Sequence, residues 1–116
     1  MNYKSLTIIV NDDTPELVKW HAACVKLCED YKVEHGYDKV PNLAAEKLEV
    51  SQGTRYIKIS RIGPKVNSVW AFVDRTNGNV LKPATWRAPA KHARGNIFDA
   101  NGGMASTSSY GPAYLR

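Results

Sequence analysis

The chain has 116 residues, 43% hydrophobic and 23% charged, enough for one soluble domain whose core buries roughly two-thirds of the unfolded surface. No apolar run approaches the ~20 residues of a membrane span, and Met1-Asn2-Tyr3-Lys4 does not open a signal peptide, so a cytoplasmic protein with no membrane partner is expected. Its charge is divided: residues 1–50 hold six Lys against nine Asp or Glu, a net of −3, while residues 51–116 hold ten Lys or Arg against Asp74 and Asp99, a net of +8. Such a split points to a polyanionic partner, or to an acidic and a basic surface that meet.

In chain order, the β-branched run at residues 5–10 reads as a strand, broken by Asn11-Asp12-Asp13. Thr14 then reads as an N-cap, with Pro15 at the first helical position and Glu16 in the positive first turn. Leu17, Trp20, Cys24, Leu27, Cys28 and Tyr31 recur at helical spacing and predict one apolar stripe, with Gly36 ending the helix. Cys24 and Cys28 share that face, where a disulfide is geometrically awkward, and the lack of a disulfide framework favours a reducing compartment. Pro41-Asn42 can open a short helical turn through Glu46.

The period then changes to two. Residues 47–50 and 54–62 read as strands around Gln52-Gly53, Gly63-Pro64-Lys65 as a turn, and residues 68–74 and 79–82 as two further strands. Asn77-Gly78 is the hairpin signal between them, suited to a type I′ turn. Residues 83–99, with Pro83, Pro89 and Gly95, read as an irregular basic arm, and residues 100–116 as a flexible Gly/Ser/Tyr tail. The expected fold class is α+β: one long helix packed on a small, mostly antiparallel β-meander, forming a single domain over residues 1–99.

Three chemistries compete for these residues. A nucleophile and base pair would use Cys24 and His21, one helical turn apart, but both lie on or near the core stripe, where Cys is usually an inert small hydrophobe. A metal would need His21, Cys24 and Cys28 plus a fourth ligand from His35 or His92, and the spacing matches no common zinc motif. No phosphate-binding glycine loop is present, so no catalytic residue, metal or cofactor is expected and the chain does not read as an enzyme.

Nucleic-acid binding has more support. From Arg75 to Phe98 there are five basic residues and no acid, interleaved with Trp86 and Phe98. Strand alternation puts Tyr56, Lys58, Trp70 and Phe72 on one sheet face, opposite Ile57, Ile59, Val69, Ala71 and Val73. If the helix covers the aliphatic face, the aromatic face is a stacking platform for single-stranded bases. Arg55, Arg61, Arg75, Lys82, Arg87, Lys91 and Arg94 would neutralise phosphates around it, and Trp86 would add a stacking ring. The plainer reading makes Trp70 and Phe72 core residues of a strand buried on both faces, and the basic run a solvated surface. A reading of another class is an assembly or interaction protein: a homo-oligomer joined through acidic and basic surfaces, a virion component, or an inhibitor of a host protein.

Residues 68–99 run as strand, Asp74-Arg75-Thr76-Asn77-Gly78 turn, Val80-Leu81-Lys82, Trp86-Arg87-Ala88-Pro89-Ala90-Lys91 and Arg94-Gly95-Asn96. This block, about a third of the chain, resembles one in small tailed-bacteriophage proteins of no established activity. The resemblance implies a phage origin, with the infected host cell or the virion as location, and implies no reaction.

Overall fold

Thr14, Pro15 and Glu16 start the main helix where their chemistry predicts. In the computed structural model, which describes residues 7–102 together with 104, 107, 108, 111 and 112, helix α1 spans Pro15–Glu34. The Thr14 hydroxyl does not cap the helix; it accepts a hydrogen bond from the Asn11 amide at 2.8 Å and closes the preceding turn. Gly36 sits at φ +72°, the left-handed position that ends the helix. Leu17, Trp20 and Cys24 are buried as expected, whereas Leu27 and Cys28 are half-buried. At about 100° per residue, Leu27 falls on the flank of the stripe. The last turn is held instead by Lys32, whose ammonium donates to Glu29 Oε1 at 2.9 Å, to the Ala44 carbonyl at 3.3 Å and to the Glu46 carbonyl at 2.6 Å. It thereby ties α1 to the short helix α2, Pro41–Ala44.

The strand expected at residues 5–10 does not form over its described part, residues 7–10, and residues 5 and 6 lie outside the described residues. The amides of Ile9 and Val10 both donate to one carbonyl, that of Arg75, at 2.9 and 3.0 Å. Consecutive donors on a single acceptor cannot make a ladder, in which donors and acceptors alternate along the strand. Arg75 is therefore a clamp and not a phosphate contact as expected. Its guanidinium donates to the carbonyls of Val10 (3.0 Å), Gly53 (2.6 Å) and Thr54 (3.1 Å) and to Asn11 Oδ1 (2.6 Å). Lysine has no planar fork to reproduce this. Arg75→Lys is expected to lower stability by about 1.5–3 kcal/mol, the range for hydrogen bonds to a charged group, readable as a fall in the urea midpoint.

Five strands make one antiparallel meander in the order β1-β2-β3-β4-β5: Lys47–Gln52, Tyr56–Ile62, Asn67–Asp74, Asn79–Pro83 and Pro89–Asn96. With α1 this is an α+β fold. Ile57 pairs with Val73 and Ile59 with Ala71, all buried on the face that α1 covers. The register then shifts, because Ser60 pairs with Val69 and leaves Trp70 as an extra residue. This β-bulge turns Trp70 to the helix side, where its ring lies 6.1 Å from that of Trp20.

The turn between β3 and β4 is where Asn77-Gly78 predicts it, but it is not type I′. Among the described residues only Gly36, Gly78 and Gly102 have positive φ, so Asn77 does not. Asp74 explains the longer loop: its Oδ1 accepts from the Thr76 amide at 2.9 Å and the Thr76 hydroxyl at 2.7 Å, an Asx-type turn. The Gly78 amide then donates to the Asp74 carbonyl at 2.8 Å, and Gly78 closes the loop at φ +79°.

The basic segment expected as an irregular arm contains a fifth strand, β5, paired with β4 through two register shifts. Pro89 is its first residue, where a missing amide costs no ladder bond. As an edge strand it exposes Lys91 and His92, and such charges resist pairing with another chain. The described part of the tail is placed: Met104 packs on the core, and Thr107–Ser108 (β6) pairs with Gly111–Pro112 (β7) against α1, β3 and β4. The rest of the tail lies outside the described residues.

Candidate nucleic-acid interface

The face of the sheet away from α1 carries the row Ser51, Lys58, Phe72, Leu81 and Ala93, each opposite the next across the strands. Phe72 is only 2% exposed, so it is a floor and not a stacking surface as expected. Tyr56 meets it edge-on, ring centroids 6.0 Å apart. After β4 the loop at residues 84–88 is tied by the Thr85 hydroxyl, which accepts from the amides of Arg87 (3.2 Å) and Ala88 (3.1 Å). This loop brings Trp86 over the outer face. Lys58 Nζ lies 4.6 Å from the Trp86 ring centre and 5.9 Å from that of Phe72, so its ammonium sits between two rings. Trp86 itself is 46% exposed.

The structure therefore brings together Tyr56, Lys58, Phe72 and Trp86 of the expected set, with Arg55 5.5 Å from the Tyr56 ring centre. Arg55 also pairs with the buried Asp74 at 3.4 Å. Trp70 is not among them; it is a core residue, 4% exposed, on the opposite side. Arg61 also leaves this face. It alternates with Ser60, lies opposite Leu48, and reaches Glu46 at 4.0 Å. Arg87 and Lys91 are exposed on the β4–β5 hairpin.

Lys82 and Arg94 help form a feature that the strand pattern alone does not reveal. Registered pairing between β3 and β4 stops at Phe72 and Leu81. Beyond it lies a pocket of about 330 Å³, lined by Arg61, Ser68, Lys82 and Arg94 with Pro83 and Ala90 at the base of the Trp86 loop. Lys82 is 9% exposed. Burial, and then the like charge of Arg94, lower its pKa.

A larger cavity of about 510 Å³ opens on the helix side, between the second half of α1, α2 and the β1–β2 end. Its walls are mainly apolar, including Val25, Leu43 and Val66, with Cys28 among them. Burial raises the Cys28 thiol pKa against the pull of Arg61 and Lys32, and raises that of core Cys24 further. The histidines are separate. His21 Nε2 donates to the Leu48 carbonyl at 2.9 Å, His35 stacks between Tyr31 and Tyr37, and His92 is exposed. No cluster of three metal-ligating side chains occurs among the described residues, and no helix among them is long and apolar enough to cross a membrane.

No curated protein and no solved structure matches the chain. A family model covers residues 3–114, nearly the whole length, and by that match the chain belongs to DUF7717, a family of unknown function.

Proposed function

We propose that this chain is a small nucleic-acid-binding protein that holds a single strand across the outer face at the β4–β5 hairpin. Trp86 stacks on a base, Tyr56 offers a second ring edge, and Lys58, Arg87 and Lys91 meet phosphates. The observation that carries this reading is Trp86: a half-exposed ring, seated over the Lys58 ammonium at 4.6 Å, in a stretch from Arg75 to Phe98 that contains no acid. A ring already fixed over a cation loses little freedom when a base covers its other face. The resemblance of residues 68–99 to a tailed-phage block supports an infected cell or a virion as the setting. The raised thiol pKa values of buried Cys24 and half-buried Cys28 favour the thiol over the thiolate and lend no support to nucleophilic chemistry.

Fluorescence anisotropy with a labelled single-stranded oligonucleotide tests the reading. Trp86→Ala is expected to weaken binding by about 1–3 kcal/mol with the salt slope nearly unchanged. Lys91→Gln is expected to lower the salt slope by about one and to weaken all sequences alike. Equal affinity of the wild type and Trp86→Ala would remove the stacking role.

One observation favours an interaction protein instead. The helix-side cavity has Tyr37 in its lining, and Val33 and Val40 lie exposed on neighbouring segments. A concentration-dependent oligomer that binds no oligonucleotide would support that reading.

A further inference from the structure

The helix-side cavity draws its apolar wall from separate parts of the chain: Val25 from α1, Leu43 from α2 and Val66 from the β2–β3 loop. All three are half-buried, so apolar surface is left uncovered where the second half of α1 parts from the sheet. Protein interiors are close-packed and hold few voids larger than a water molecule. A recess of about 510 Å³ has instead the size of a small-molecule site, about 300–1,000 Å³. Its charged lining residues are joined to each other. Glu29 pairs with Lys32 at 2.9 Å and Glu46 with Arg61 at 4.0 Å. Lys32 spends its three N–H donors on Glu29 and the carbonyls of Ala44 and Glu46. The Arg61 guanidinium also donates to the Cys28 sulfur. Lys47, the remaining charged residue of the lining, is exposed, where water and salt screen it.

We propose that this cavity binds a neutral, largely apolar small molecule that carries an aromatic ring. A carboxylate or an ammonium entering it would leave its water shell and meet charges that already have partners, which is costly. A neutral molecule loses little hydration and covers the uncovered apolar wall. Tyr31 and Tyr37 add two rings to the lining, 6.0 Å apart and tilted by 51°. His35 stacks on both, so these rings are held in place and give up little freedom when a planar ligand meets them. The cavity lies on the helix side of the sheet, so neither this site nor its test depends on the nucleic-acid reading of the outer face.

The test uses two dyes with one aromatic body, neutral N-phenylnaphthylamine and its anionic counterpart anilinonaphthalene sulfonate, with the full chain. The neutral dye is expected to bind once per chain, with a Kd on the order of 10 μM. The sulfonate is expected to bind roughly tenfold more weakly or worse. In methyl-labelled protein the neutral dye is expected to shift the Val25, Leu43 and Val66 signals saturably and to leave the Trp86 indole in place. Val25→Phe, checked for a native dispersed NMR spectrum, narrows the cavity and is expected to weaken the neutral dye about tenfold. Unchanged affinity in that variant, or dye shifts confined to other parts of the wild type, overturns the site. Equal affinity for the two dyes overturns the neutral ligand class. Shifts of the Val25 and Leu43 methyls with protein concentration alone would make a second copy of the chain the occupant, and overturn the proposal too.

Discussion

Trp20→Ala is expected to destabilise the fold by about 3–5 kcal/mol, the range for removing a large aromatic from a core. Trp20 is 1% exposed, packs against Trp70 from α1, and belongs to the cluster that joins the helix to Ile57, Ile59 and Val73. A domain of this size has roughly 5–15 kcal/mol to lose, so the variant sits near the limit of folding. Urea unfolding should show a much lower midpoint with a similar slope. The indole nitrogen of Trp20 is buried and has no hydrogen-bond partner among the described residues. Trp20→Phe removes that orphan donor with part of the volume, and is therefore expected to cost clearly less than Trp20→Ala. Equal losses for the two variants would show that the aromatic body of Trp20 does not hold the helix to the sheet.

Gly78→Val is the second large effect. At φ +79° a β-branched residue is strained by about 1–3 kcal/mol. A Cβ there would also lie 2.6 Å from Phe98 Cε2 and 3.1 Å from Ile97 Cγ1, and forced packing of this kind costs about 1–3 kcal/mol more. Phe98 is exposed enough to swing aside, whereas Ile97 is buried. The backbone contribution is thus the firmer of the two. Phe98→Ala in the same chain should relieve part of the clash and none of the strain. Thermal unfolding of the single and double variants separates the two contributions. Full rescue by Phe98→Ala would contradict the left-handed conformation at Gly78.

The helix and the meander were legible because each is written in local chemistry. Pro15 and Glu16 mark the start of α1, its apolar positions recur at helical steps, and the strands alternate between turn residues. What escaped the strand pattern depends on register. Alternation puts Trp70 and Phe72 on one face, but a single extra residue at the Ile59–Ser60 shift turns Trp70 into the core. Phe72 keeps its face and is then roofed, because the loop at residues 84–88 folds back and brings Trp86 over Lys58. No periodicity encodes that return. The third loss is Arg75, which reads as one more surface cation until Val10, Gly53 and Thr54 present their carbonyls to it from distant parts of the chain. The β3–β4 pocket was hidden for the same reason: its lining is drawn from four strands and closes only where pairing stops. By contrast, Lys58, named from strand alternation, and Trp86, named from the acid-free stretch, do meet on the outer face.

The central claim is that Trp86 and the cations around it contact a single strand. The most direct measurement is a titration of ¹⁵N-labelled protein with a short single-stranded oligonucleotide at ~50 mM salt, where electrostatic binding is strong, following the three indole N–H signals. The account predicts that the Trp86 signal moves and saturates together with the backbone signals of Lys58, Arg87 and Lys91, while Trp20 and Trp70 in the core stay in place. A titration in which no indole moves, or in which the only shifts fall around the helix-side cavity, would contradict it.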